Sequence, residues 1–175
     1  LAYDLDFSGA CREAEAAEAC FRGYRGMEPM LFDEGMLRQL RERAAGWRRM
    51  EERAKQLRIS ACVMVRNEEK NLPLWLDNAA RYGDEIVVLD TGSEDDSLAL
   101  AEAGGARCFT LPWQGDFSLA RNALLAHAEG DWVAMLDADE TFFEPERLHE
   151  FLAEVECRHP EAQGVELVIS NVDED

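Results

Sequence analysis

From Arg58 onward the chain alternates short apolar runs with helix-forming stretches, and the apolar runs stop abruptly on polar residues. This alternation constrains the fold more than any other feature. Ile59 to Val65 is a β-branched run followed by Arg66-Asn67-Glu68-Glu69. Glu85 to Leu89 stops on Asp90 and then Thr91-Gly92-Ser93. Trp132 to Leu136, entered through the turn residues Glu129-Gly130-Asp131, stops on Asp137-Ala138-Asp139. Apolar runs of this length bounded by turn signals read as strands, and strands alternating with helices imply a mainly parallel sheet in a three-layer α/β fold. The Trp132–Leu136 run is expected to be buried on both faces.

The intervening stretches complete the pattern. A helix is expected from Leu72 to Tyr82, capped by Asn67 and closed by Gly83. Asp95 and Asp96 open another through Ala103, ended by Gly104-Gly105. Ala106 to Leu111 reads as a short strand, and Ser118 caps a helix to His127 that carries Arg121 and Asn122. Glu144 to Arg158 reads as a helix, and Val165 to Ser170 as a last strand.

Residues 1–57 form a separate helical segment, set apart from the α/β region of residues 58–175. Ala10 to Phe21 is rich in Ala, Glu and Arg, and Gly23, Gly26 and Pro29 break it. A second helix runs from a cap at Asp33 to Leu57. Met36, Leu37, Leu40, Ala44, Trp47 and Met50 form its apolar stripe, and Arg38, Arg41, Arg43, Arg48, Arg49, Arg53 and Lys55 its basic face. Two readings of that face stand side by side: a solvated surface, or a docking face for an acidic partner such as the acidic region that follows.

Charge sets the two parts against each other. The chain's net charge is −19, and nearly all of it falls after Leu57, where 8 basic side chains face 26 acidic ones. Such a surface repels nucleic acid, whose binding depends on cations meeting phosphates. It remains compatible with a phosphorylated small molecule held through a divalent cation, which reverses the local sign. No apolar run reaches the roughly 18 residues of a membrane span, and no signal peptide opens the chain. Cys11, Cys20, Cys62, Cys108 and Cys157 are odd in number and never paired as C-x-x-C, which points to a reducing cytoplasm. Cys62 is expected to be core.

Three strand ends collect Asn67 with Glu68, Asp90 with Ser93, and Asp137 with Asp139. In a parallel sheet those ends share one edge, where open α/β sheets place their ligands. Two carboxylates one residue apart suit Mg²⁺ or Mn²⁺ carrying phosphates. The plainer alternative has Asp137 starting a loop and Asp139 capping the next helix. Asp90 has its own plain reading, as a strand terminator making a turn with Gly92.

The segments Val63-Met-Val-Arg-Asn-Glu-Glu69, Ile86-Val-Val-Leu-Asp-Thr-Gly-Ser93, Ala120-Arg-Asn122 and Met135-Leu-Asp-Ala-Asp139 together resemble the family-2 glycosyltransferases of GT-A fold, over roughly residues 59–143. The resemblance implies a Rossmann-like GT-A sheet that takes a nucleotide-sugar, typically UDP-linked, and transfers its sugar to a hydroxyl of a glycan, lipid or protein with inversion. Arg66, Asn67, Glu68 and Asp90 would then hold the base and ribose, and Ser93 would belong to the same nucleotide site. Arg121 would approach the diphosphate and Asp137 the ribose, and Asp139 with Asp137 would hold Mn²⁺ or Mg²⁺, the family's DxD motif. The region is shorter than the family's catalytic domain. The general base is therefore expected outside this chain, with the C-terminal part of the domain truncated. Trp113 is expected either to border the donor pocket or to make a satellite apolar contact.

Two other enzyme or signalling classes share pieces of the pattern. Asp137-Ala-Asp-Glu-Thr141 also satisfies the Asp-x-Asp-x-Thr of haloacid-dehalogenase-like phosphatases, with Asp137 as nucleophile. That motif belongs on a first strand with a later lysine, and no lysine follows Lys70. A receiver-like domain using Asp90 needs the same missing lysine. A catalytically incomplete sugar-nucleotide-binding fragment stands as the third alternative.

Overall fold

The computed structural model describes residues 34–167 and, before them, positions 9, 12, 15, 16 and 19. Helix α1 (Glu34–Gln56) leads into β1 (Ile59–Val65), α2 (Leu72–Ala79), β2 (Glu85–Asp90) and α3 (Ser97–Ala103). Then come β3 (Arg107–Thr110), α4 (Phe117–Leu125), β4 (Trp132–Met135), a 3₁₀ turn at Pro145–Arg147 and α5 (Leu148–Arg158). The strands form one sheet in the order β3-β2-β1-β4, with every pair parallel.

The two-residue period of the strands sorts their side chains into two cores. Ile59, Ala61, Val63 and Val65 of β1 pack against Leu72, Trp75, Leu76 and Ala79 of α2, Ala101 of α3 and Leu152 of α5. On the other face Cys62, Val87 and Leu89 meet Ala120 and Leu124 of α4. The result is the three-layer α/β arrangement that the strand–helix alternation implies. Cys62 is plain core: burial pushes its thiol up to about 12, far from any reactive range.

β4 departs from the expectation of a strand buried on both faces. Among the described residues it pairs only with β1, at the end of the sheet order, and all four of its residues are half-buried. The doubly buried strand is β1, which is flanked on both sides. Close approach fixes the register between them. A Cβ on Gly130 would lie 2.7 Å from both the Ser60 nitrogen and Oγ, so only glycine lets the chain enter β4 here. Its N–H donates to Ser60 Oγ at 2.8 Å.

Several helix starts differ from their expected caps. Asn67 takes φ 58 and does not cap α2; Asn71 occupies that position without a side-chain cap bond, and Pro73 stands in the first turn. Asp116 rather than Ser118 caps α4, accepting from the N–H groups of Ser118 and Leu119. The helix ends at Leu125, and His127 beyond it stacks on Phe109 with ring centres 3.5 Å apart. Asp95, just before α3, accepts from Ser97 N and Oγ. The helix expected from Glu144 opens instead with the 3₁₀ turn at Pro145–Arg147, and Glu144, at φ 52, lies outside it. Val165 to Leu167 are not a strand: they line an apolar trench beside β4 and α5 without joining the sheet. The rest of that expected strand lies outside the described residues, as do Asp33, the first expected helix as a continuous element, and the side chains of Met36, Leu37 and Leu40.

Helix α1 packs on α5, and the basic face divides between the two readings. Arg53 reaches the acidic region. Its Nε and Nη2 donate to Glu156 at 2.5 and 3.0 Å, with Asp131 3.4 Å away. Trp132 Nε1 donates to the same Glu156 carboxylate at 2.8 Å. The Arg53 bond holds the Glu156 carboxyl below its usual range, against the opposing effect of burial. Arg38, Arg43, Arg48 and Arg49 are exposed, a solvated surface in which Arg43 lies over Trp47 and Arg48 pairs with Glu15. Among the described residues, no helix is long and apolar enough to cross a membrane.

Candidate functional site

The parallel sheet brings the C-terminal ends of its strands to one edge. Asp90, the last residue of β2, is in register with Val65 of β1 and Thr110 of β3. Arg66 follows Val65, and Asp137 lies two residues past Met135, the last paired residue of β4. The chain steps from β1 outward to β2 and β3, then returns to the far side of β1 as β4. That reversal opens a crevice outside the strand ends between β1 and β4.

On the β1–β2 side almost every polar group is already engaged. The Asp90 side chain is buried, and its carboxylate accepts from Ser93 N at 3.0 Å and Gly92 N at 3.2 Å. Gly92 takes φ 110, the conformation this tight turn requires of it. Thus the turn with Gly92 exists, and it leaves part of the carboxylate's acceptor capacity free. Thr91 Oγ1 donates to Val65 O at 3.1 Å, tying the turn to β1.

The loop after β1 is zipped onto the loop after β2. Asn67 N donates to Ser93 Oγ at 3.0 Å, and Asn67 Oδ1 accepts from Glu94 N at 2.8 Å. Glu68 N donates to Ser97 Oγ at 2.8 Å, and Glu69 N to Asp95 Oδ2 at 3.1 Å. The Glu68 carboxylate accepts from Asn71 Nδ2 at 2.9 Å. The Ser97 hydroxyl draws the Asp95 carboxyl below its ordinary range. In this pairing Asn67 and Glu68 bind loop to loop, whereas the exposed Arg66 side chain faces a cleft of about 280 Å³. Asp90, Thr91, Gly92, Thr110, Pro112 and Trp113 form the remainder of its wall.

The acidic stretch after β4 is a turn. Glu140 N donates to Asp137 O at 3.0 Å, and the Glu140 carboxylate accepts from Asp137 N at 3.0 Å. Ala138 is buried in the core under the sheet edge, while Asp137 and Asp139 on either side are exposed. The alternation explains the spacing: the middle residue anchors, and the carboxylate-bearing residues on either side of it are exposed. Asp139 caps no helix, since regular structure resumes only at Pro145. Two free hard-oxygen groups on an anchored turn fit a divalent cation of the Mg²⁺ or Mn²⁺ kind, provided a ligand or water completes the shell. Among the described residues no group of three or more metal-ligating side chains forms a closed cage.

Arg121 lies exposed on α4, and among the described residues no hydrogen bond or ion pair joins it to the other candidate residues. His149 sits outside the edge, bonded to Asp84 at 3.0 Å, and His127 is engaged with Phe109.

The sequence profile described as Glycosyl transferase family 2 matches residues 60–167, more than half of the chain. The chain belongs to glycosyl transferase family 2. Among its relatives, a TPR repeat-containing protein of Synechococcus elongatus is 46% identical over 82 residues, covering 47% of this chain and 20% of that protein. An uncharacterised glycosyltransferase of Rickettsia conorii is 32% identical over 83 residues, covering 47% of this chain and 29% of its own length. The match therefore spans less than a third of either relative's length. In fold, it is similar to a mannosyltransferase from Pyrobaculum calidifontis solved with GDP-Man and Mn²⁺. The TM-score is 0.51 at 21% identity, over 65% of this chain and 41% of that one. The four-stranded parallel sheet with its helical layers is thus the GT-A fold of this family.

Sequence reasoning did not single out Thr91, Thr110 and Pro112 as cleft residues. Thr110 had a usable signal, because it ends a strand that must lie beside β2. Thr91 and Pro112 enter only through the way the two loops fold over the edge.

Proposed function

We propose that this chain is the donor-binding part of a glycosyltransferase that moves a sugar from a nucleotide diphosphate, UDP in the first instance, to an acceptor hydroxyl with inversion. The observation that carries the reading is the shared sheet edge, with buried Asp90 beside an open cleft on one side of β1 and the exposed Asp137/Asp139 pair on the other. Asp90 accepts from the base imide with the lone pairs its own turn leaves free, and Trp113 and Pro112 offer apolar walls to the base. Arg66 lies on the same wall and pairs with anionic or hydroxyl oxygen of the nucleotide. Asn67, Glu68 and Ser93 hold the two loops that shape this cleft. Asp137 accepts from the ribose, and Arg121 approaches the diphosphate as the complex assembles.

Asp139, with Asp137, holds Mn²⁺ or Mg²⁺. When bound, such an ion neutralises charge on the departing diphosphate. The net charge of −19 supports this reading, since an acidic surface needs a cation before it accepts phosphates. No residue of this chain is assigned as the general base, and the acceptor hydroxyl belongs to a glycan, lipid or protein. Residues 1–57 are read as a helical segment distinct from the sugar-nucleotide-binding region of residues 58–175, and the packing of α1 on α5 is what joins the two. The free thiols of Cys62, Cys108 and Cys157 support a cytoplasmic location.

The test is calorimetric titration with UDP, with and without Mn²⁺, on this chain and on Asp139→Ala. The expected result is metal-dependent binding that the substitution abolishes while the chain stays folded. A folded chain that binds UDP equally well in both conditions overturns the metal assignment. A folded chain that binds neither UDP nor GDP overturns the donor-site reading.

A further inference from the structure

Asn78 is the one buried polar residue on α2, on a face otherwise made of Leu72, Trp75, Leu76 and Ala79. A buried amide is costly unless both its donor and acceptor are satisfied. Here both go to a single residue far away in sequence. Asn78 Nδ2 donates to Phe142 O at 3.0 Å, and Phe142 N donates to Asn78 Oδ1 at 3.0 Å. The side-chain amide thus takes the place of a partner strand for one residue of the loop that follows the acidic turn. The Phe142 ring also meets Tyr82 edge-on, with centres 4.9 Å apart.

The clamp stands out because of what surrounds it. Thr141 and Phe143, the neighbours of Phe142, are exposed, Phe143 at 92%. The carboxylates of Asp137 and Asp139 are exposed too, and Asp139 accepts no hydrogen bond among the described residues. Two anchors therefore bracket Asp139: buried Ala138 on one side and the clamped Phe142 on the other. Ala138 sets the depth of the turn. The two Asp137–Glu140 bonds close the turn itself, and the two directional bonds at Phe142 fix the chain that leaves it against α2.

We infer that Asn78 is a positioning residue for the cation site, acting through the Phe142 backbone to hold Asp139 in its binding geometry without touching the ligand. The inference rests on the reading of Asp137/Asp139 as cation ligands given above. Supporting groups of this kind are worth about 10–100-fold in metal affinity. Asn78→Asp keeps the size and the acceptor for Phe142 N but sets an oxygen against Phe142 O. Leu76→Ala, on the same helix and likewise only 9% exposed, loosens the packing of α2 and leaves the clamp intact.

The experiment titrates Mn²⁺ into the UDP-saturated chain by calorimetry, for the parent, Asn78→Asp and Leu76→Ala, with thermal unfolding of each. Amide exchange of Phe142 is followed in the parent. Expected are a slow Phe142 amide, Mn²⁺ affinity about tenfold or more weaker in Asn78→Asp, UDP affinity without metal unchanged, and Leu76→Ala destabilised but normal in Mn²⁺ affinity. Equal Mn²⁺ affinity in the parent and Asn78→Asp overturns the proposal alone. So does an Mn²⁺ affinity that falls with unfolding temperature alike in both variants. Should Asn78→Asp not fold, a Phe142 amide in the parent exchanging as freely as that of Phe143 overturns it, and a protected one upholds the clamp. A parent without metal-dependent binding overturns the cation-site reading and this inference together.

Discussion

The two sides of the β1 strand solve the same problem differently. On the β2 side, Asp90 is buried, its turn is closed by two backbone bonds, and the Asn67–Ser97 zipper fixes the loops before any ligand arrives. On the β4 side, Asp137 and Asp139 stand in solvent on a turn held from beneath by Ala138 and from behind by Asn78. Under the proposed function, the side wired by hydrogen bonds to itself would read the shape of a base. The unpaired carboxylates would take a cation first, because like charges in an acidic domain repel both each other and a diphosphate. One half is preformed, and the other would be completed by what it binds.

The sharpest way to break this comparison is Asp90→Ala. It strips the acceptor from the Gly92 and Ser93 amides at a site that is 6% exposed, so it should cost about 1–3 kcal/mol of stability as well as UDP binding. Denaturant unfolding and UDP titration read the two losses together. Asp139→Ala should leave stability within about 0.5 kcal/mol and remove only the metal-dependent part of binding. If Asp90→Ala proves as harmless to stability as Asp139→Ala, the preformed half is not preformed.

Acid should act next, and at the opposite edge. Glu156 is held below its usual range by Arg53 against the effect of burial. In Asp84 burial works upward and is outweighed by bonds from Ile59 N and His149. Groups with depressed folded values stabilise the fold above the ordinary carboxylate range and lose that contribution as pH falls through their folded values. Stability should therefore drop below about pH 4.5, with α1 leaving α5 early. Arg53→Ala should flatten the part of this fall that belongs to Glu156, which urea unfolding between pH 6 and 3 would detect. An unchanged pH profile in Arg53→Ala would mean that the docked helix is held by packing alone.

The smallest effect belongs to Glu140→Gln. The amide oxygen still accepts from Asp137 N, so the turn survives and one negative charge beside the carboxylate pair is lost. Mn²⁺ affinity should fall by less than about tenfold, well short of Asp139→Ala, in the same titration. A loss as large as that of Asp139→Ala would instead make Glu140 a direct ligand.

Much of the fold was legible because apolar runs and turn residues act locally. Strands at Ile59, Glu85, Arg107 and Trp132 and the helices between them follow from period and punctuation, and a parallel sheet follows from their alternation. The same logic placed Asp90, Asp137 and Asp139 at strand ends on one edge. It failed where another group, near or remote, makes the contact expected of the chosen residue. Asn67 reads as a helix cap by sequence, yet its amide joins Glu94 on another loop. Ser118 is a good cap residue, but Asp116 reaches the N–H groups first. The apolar Trp132 run looks fully buried, yet among the described residues it is paired on one side alone and half-buried, because strand order is a matter of topology rather than composition.

What the sequence by itself determined is therefore the list of elements and the polar residues that end them, since propensity, periodicity and turn chemistry depend on neighbours a few positions away. Which residues share a wall was decided only by the tertiary structure. Thr110 and Trp113 reach the cleft beside Asp90, Arg53 finds Glu156 across the domain, and Asn78 clamps Phe142 from 64 positions away. Such contacts depend on strand order and on the packing of layers, which the pattern along the chain constrains but does not specify.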